Sequence, residues 1–151
     1  MNCYWRLYCR GRVCDFFYIP EKIRMPENEI AEIIVDCAYS LHVKAGPGML
    51  ERVYHTCLTH KLKKCGLKVE EEKWVPFEFE DLRFEKAYRL DLFVEGKVVV
   101  EIKSASAITD SHIAQTLTYL RCTHSKLGLI LNFGAPTMKA GLKRVIDGQL
   151  D

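Results

Sequence analysis

The chain has 151 residues, 48% hydrophobic and 28% charged, which suits one domain with a real core and excludes a disordered polypeptide. With 22 basic and 20 acidic residues the net charge is only +2, so bulk charge gives no argument for nucleic-acid affinity and any basic surface must be local. No apolar run approaches the ~20 residues that span a bilayer, so no membrane partner is expected. The seven cysteines form no C-x-x-C pair, which leaves structural zinc without support and points to a reduced, cytoplasmic protein with thiols such as Cys37 and Cys57 on apolar helix faces.

Residues 1–24 hold six aromatics and three cysteines and show neither helical nor strand period. Arginines at 6, 10 and 12 interrupt any signal-peptide core. Met25 opens "MPENEIAEII", which has the look of a domain start. Residues 1–25 are therefore expected to be an appendage, as an arm packed on the domain or as sequence upstream of initiation at Met25. A single domain is expected over 26–148.

From Pro26, Ile30, Ile33, Ile34, Cys37 and Leu41 recur at helical period. "KAGPG" (Lys44–Gly48) ends that helix. A second is expected over Met49–Cys65, with a stripe of Leu50, Val53, Cys57 and Leu62 and with Gly66 as its C′ residue. Strand alternation follows in "LKVEEE" and "WVPFEFE", where Pro76 marks an edge strand or a strand start. "DLRF" (Asp81–Phe84) reads as a turn, and Ala87–Ser104 as a hairpin. A helix capped by Asp110 or Ser111, a buried strand "LGLILNFG", and a last helix over about Thr137–Ile146 complete the order. Strand, helix, buried strand is a crossover unit that favours parallel pairing. The expected class is α/β bordering on α+β, a mixed central sheet flanked by helices.

The hairpin carries the chemistry. Its even positions, Leu90, Leu92, Val94, Val98, Val100 and Ile102 among them, are apolar, while every charge (Arg89, Asp91, Glu95, Lys97, Glu101, Lys103) is odd. Both strands bury the same face only if the loop is odd in length, such as three residues centred on Gly96. In that register Val94 opposes Val98, Asp91 faces Glu101 and Arg89 faces Lys103. Opposed carboxylates repel, and a divalent cation between them removes the penalty. Mg²⁺, or Mn²⁺, suits such oxygen ligands, with Lys103 beside it to hold a water or stabilise developing charge. The alternative is a cross-strand patch of ion pairs, Asp91 with Arg89 or Lys103 and Glu101 with Lys97.

D-x9-E-x-K (Asp91, Glu101, Lys103) on a hairpin resembles the PD-(D/E)XK nuclease superfamily. "GMLERVY" (Gly48–Tyr54) fits G-x-x-E-x-x-Y, "QTLTY" (Gln115–Tyr119) fits Q-x-x-x-Y, and "GLILNFG" resembles the closing strand of the GxxExxY protein family, a branch of that superfamily. The resemblance spans about Glu27 to Ile146. It implies Asp91 and Glu101 as metal ligands with the Ile102 backbone carbonyl as a third, Lys103 as the residue that positions or activates the attacking water, and Glu51 reaching the metal directly or through water. Gln115 and Tyr119 would lie near the site. Leu90 stands where the superfamily name has proline.

Read from the residues alone, Glu51 equally suits a first helical turn through the helix dipole, Gln115 a solvated or capping amide, and Tyr119 a core aromatic. The implied function is metal-dependent hydrolysis of nucleic-acid phosphodiesters, with DNA favoured over RNA. Arg89, Lys103, Lys44 and Arg52 are the candidate phosphate contacts. The alternative is an inactive nuclease-fold module that binds nucleic acid or a protein partner.

Overall fold

The computed structural model describes residues 25–150, so the expectations for residues 1–24 lie outside the described residues. Nine elements follow one another: α1 (Glu27–Ala45), α2 (Glu51–Lys64), β1 (Val69–Phe79), β2 (Leu82–Val94), β3 (Val98–Lys103), α3 (Asp110–Thr123), β4 (Leu127–Asn132), α4 (Met138–Gly141) and β5 (Leu142–Ile146). The strands form one sheet in sequence order. β3 and β4 are parallel, as the intervening helix requires, and the other neighbours are antiparallel. This is an α+β mixed sheet in a single domain.

Both faces of the sheet are covered. α1 and α2 pack on Leu92, Val94, Val98, Val100 and Ile102 of the hairpin and on alternate residues of β4. α3 packs on the other face through Tyr119 and Leu120, against Phe93, Val99, Ile130 and Val145. Periodicity finds α1 correctly: Ile30, Ile34, Cys37 and Leu41 are buried and Ile33 packs against them.

In α2 the expected stripe holds at Leu62, which is buried, and at Cys57, which packs on the core, but its first turn is rotated from its expected place. Leu50 and Val53 are exposed, and the core face is Tyr54, Leu58 and Leu62, one residue every four. Tyr54 decides this rotation. Its ring stacks on Phe133 at 4.5 Å, and its hydroxyl donates to the Gly46 carbonyl at 2.5 Å and accepts the Met49 N–H at 3.1 Å. The buried phenol thus ties down the Gly-Pro-Gly loop, in which Gly46 and Gly48 take φ of 66° and 108°. Gly66 is the expected left-handed residue after α2.

Three other expectations are corrected. "LKVEEE" and "WVPFEFE" are one strand, with Glu72 at positive φ and a register shift around Pro76. The turn after β1 is confined to Glu80 and Asp81, because Leu82 and Phe84 already pair with Phe79 and Phe77. The last helix is a single turn, α4, followed by β5. β4 is buried along its whole length, so its free edge needs a partner for its backbone groups, and "LKRVI" supplies one. Gly141 is where helix gives way to strand. A Cβ there would lie 2.1 Å from the Asn132 carbonyl oxygen, which leaves no room for another side chain.

The loop after β3 is held by Asn132 at the end of β4. Its side chain accepts the Ala105 N–H at 2.9 Å and donates to the Ala105 carbonyl at 3.0 Å. Gly134 permits this approach, since a Cβ there would meet the Ala105 oxygen at 2.4 Å, and that neighbour is backbone. Gly134→Ala is expected to cost about 1–3 kcal/mol through this overlap. Urea unfolding at constant m-value measures it, and an unchanged midpoint would show that the loop yields.

Candidate active site

The hairpin adopts the odd loop that its patterning demands. Glu95, Gly96 and Lys97 join the strands, Val94 pairs with Val98, Phe93 with Val99 and Leu92 with Val100. There the pairing stops. Continued by one residue it would set Asp91 opposite Glu101, and by two Leu90 opposite Ile102. Instead the Asp91 side chain enters the ladder, and its Oδ2 accepts the Ile102 N–H at 2.8 Å. The N–H and C=O of one strand residue face the same edge, so the Ile102 carbonyl is directed towards the same gap.

The alternation of β2 breaks at this point. Leu92 and Val94 belong to the core under α1 and α2, whereas Leu90 and Tyr88 pack with Phe93 and Val99 under α3. The expectation of one apolar and one charged face therefore holds only beyond Asp91. The odd face is itself covered by α3. From α2, His55 Nε2 donates to the Asp91 carbonyl at 3.2 Å, which assigns its proton to Nε2 and pins the backbone where the ladder opens.

Glu101 sits on β3 with 2% of its surface exposed. Its Oε2 accepts from Lys103 Nζ at 3.3 Å. Its Oε1 is buried with no hydrogen-bond partner among the described residues, a state shared only with the neutral hydroxyl of Thr59. Burial, and next the charge of Asp91, push the Glu101 carboxyl up to about 8, with Lys103 and the Asp91 backbone N–H opposing. Tyr119, on α3, feels the same pair. Burial first, then Glu101 and Asp91, raise its phenol to about 12, while Gln115 beside it opposes the shift. The hydroxyl is therefore a donor throughout the physiological range. Asp91, Glu101, Lys103, Tyr119 and Gln115 are thus brought together, with Gln115 at the exposed rim.

Glu51 is set slightly apart. As the first residue of α2 its Oε2 accepts the Ser104 N–H at 3.2 Å, while Ser104 Oγ donates to the Met49 carbonyl at 3.0 Å. The loop that Tyr54 fixes thereby delivers a carboxylate to the end of β3. Arg89 turns elsewhere, over the Trp74 ring at 5.7 Å and towards Glu72 at 3.8 Å, because β2 has already left β3 at that level. Lys97 donates to the Met25 carbonyl at 2.9 Å rather than pairing with Glu101. Lys44 and Arg52 are exposed. Thr109, not Asp110 or Ser111, caps α3, in a reciprocal box with His112. Sequence reasoning passed over His55, Ser104 and Asn132. None carries a patterned signal, since each acts on backbone distant in sequence: His55 on Asp91 in β2, Ser104 on Met49 before α2, and Asn132 on Ala105 after β3.

The donor set fits a hard divalent cation. Two carboxylates and a strand carbonyl face one gap, and one buried carboxylate oxygen makes no hydrogen bond among the described residues. Among the described residues no three His, Cys, Asp or Glu side chains converge as a ligand cluster. An ion held here would therefore retain several waters, as Mg²⁺ commonly does.

Without a cation, the lifted Glu101 pKa makes stability fall with pH. The folded chain keeps a proton that the unfolded chain releases near 4.5, so this group's stabilising contribution is complete below that value and is lost as pH rises through about 8. In chelator, Glu101→Gln is expected to raise Tm at about pH 8 by roughly 3 °C or more and to flatten its fall from about pH 6. Thermal unfolding by circular dichroism measures this, and a variant whose Tm falls as steeply as wild type contradicts the assignment.

No helix among the described residues is long and apolar enough to cross a membrane. No curated protein and no solved structure matches the chain. A family model describing the PD-(D/E)XK nuclease superfamily matches residues 28–145, a span that runs from α1 to β5 and contains the Asp91–Glu101–Lys103 cluster. The chain belongs to the PD-(D/E)XK nuclease superfamily.

Proposed function

We propose that the protein hydrolyses nucleic-acid phosphodiesters, DNA in preference to RNA, with Mg²⁺ or Mn²⁺ at Asp91, Glu101 and the Ile102 carbonyl. The single observation that carries this reading is the buried Glu101 oxygen without a donor, set against a second carboxylate at an opened strand ladder. A fold needs no such pair, and two close carboxylates cost stability unless something positive lies between them. A bound divalent cation would polarise a phosphate oxygen and make a water more acidic.

The chain's own groups divide the remaining work. Asp91 is held by the Ile102 N–H, so its second oxygen is pre-oriented towards the gap. Lys103 neutralises part of the Glu101 charge and presents N–H donors to a water or to a phosphate oxygen gaining negative charge. The Tyr119 hydroxyl, with Gln115 beside it, offers a further donor to substrate. Glu51 holds the Ser104 backbone and fixes the end of β3, so it acts as a positioning residue. Arg89 would meet only substrate that extends beyond the cluster, along β2.

One observation favours the rival reading of a binding module without turnover. Two carboxylates converge where three acidic or imidazole ligands would hold an ion more firmly. The experiment that separates the two is cleavage of labelled single-stranded DNA, duplex DNA and RNA with Mg²⁺ or Mn²⁺. Metal-dependent cleavage is expected, reduced at least ~100-fold by Asp91→Ala and by Lys103→Ala. Cleavage that survives both substitutions refutes the assigned site, and no cleavage on any substrate supports the binding module.

A further inference from the structure

β1 and β2 continue past the sheet as a two-stranded arm whose two faces differ in chemistry. On one face the paired residues are Phe77 with Phe84 and Phe79 with Leu82. On the other are Glu78 and Arg83, joined by Glu85, and Arg83 is ion-paired to both glutamates. Paired residues of an antiparallel ladder share a face, so this sorting follows from the register. Phe79, Leu82 and Phe84 are 57%, 55% and 50% exposed. Soluble chains seldom leave such a contiguous set in water without a use for it.

The rings form a row that begins at Tyr119, which shares a packed cluster with Phe93 and Val99, two positions along their strands from Asp91 and Glu101. Tyr119, whose phenol both Asp91 and Glu101 perturb, lies 5.7 Å from Tyr88. Tyr88 meets Phe77 edge-on at 6.0 Å, and Phe77 stacks near Phe84 at 6.5 Å. Tyr119 is buried, Tyr88 and Phe77 are half-buried, and Phe84 is open. Accessible ring surface therefore increases outwards from the place where a phosphodiester would be cut.

We propose that this aromatic face is a stacking platform for unpaired bases, so that the substrate is a single strand or a strand with an unpaired end. The inference rests on the nucleic-acid reading of the carboxylate site and names its substrate class. Three features favour this occupant. A row of π-faces accepts any base, at roughly 1–3 kcal/mol for each base stacked. Duplex bases are already stacked on one another and cannot lie on the rings. Glu78 and Glu85 of the outer arm lie on the opposite face, where Arg83 pairs with both, so neither carboxylate stands on the ring face.

The test is fluorescence anisotropy of the full chain in chelator, with a labelled single-stranded DNA of about 20 nucleotides and the matched duplex. The single strand should bind more tightly than the duplex. Phe84→Ala should weaken single-strand binding roughly fivefold to 150-fold, the span that stacking energies imply. Phe84→Tyr should bind like wild type, whereas Phe84→Leu should weaken binding as alanine does, because leucine keeps the apolar surface and removes the π-face.

Equal affinity for strand and duplex, loss under twofold in Phe84→Ala, or a leucine variant as tight as wild type overturns the platform. So does a sedimentation result in which the chain is a dimer that Phe84→Ala dissociates without loss of single-strand binding, since the rings would then cover a second copy. Metal-dependent cleavage abolished by Lys103→Ala but indifferent to Phe84 would retain the hydrolytic site and remove the platform. Ring-dependent strand binding with no cleavage would do the reverse.

Discussion

The bond from the Ile102 N–H to the Asp91 carboxylate organises the rest of the molecule. A β-ladder normally gives that N–H a backbone carbonyl. Here a side chain takes it, so β2 is released from β3 after three paired positions and swings its next residues under α3. The release opens a gap lined by Asp91, Glu101 and the Ile102 carbonyl edge. His55 on the Asp91 carbonyl and Glu51 on the Ser104 N–H brace the two sides of that gap from α2.

The electrostatic consequence is a carboxylate that burial and a like charge both disfavour. Glu101 is almost inaccessible, and its pKa of about 8 records the penalty. Lys103 relieves part of it and leaves one oxygen without a donor. Cores ordinarily avoid such a group, and a site that tolerates it trades stability for chemistry. The same residues explain the G-x-x-E-x-x-Y pattern mechanically. Tyr54 fixes the Gly-Pro-Gly loop, that loop starts α2, and the first residue of α2 holds the end of β3.

Much of this was legible in the sequence. Parity and the single glycine of the loop give the hairpin register, because a one-residue slip would expose a full apolar set. The apolar stripe of α1 and the parallel crossover through α3 are equally direct. What was hidden depends on distant partners. "LKRVI" follows a helical cap and turns into a strand only because β4 needs an edge partner. The face of α2 is set by one phenol reaching back to a loop, not by the summed hydropathy of Leu50 and Val53. The break in alternation at Asp91 has no local signature, since Leu90 and Leu92 are the same residue type on opposite sides of it. Pattern alone extends the ladder to set Arg89 opposite Lys103, whereas the pairing ends at Leu92 and Val100.

The proposed divalent-cation site at Asp91 and Glu101 is open to direct titration. Isothermal titration calorimetry of the full chain with Mn²⁺ near neutral pH addresses it without reference to any substrate. One site is predicted, lost in both Asp91→Asn and Glu101→Gln, with a heat that varies with the ionisation enthalpy of the buffer because Glu101 must give up its proton. A folded wild-type chain that takes up no Mn²⁺, or binding that persists in both variants, would contradict the account.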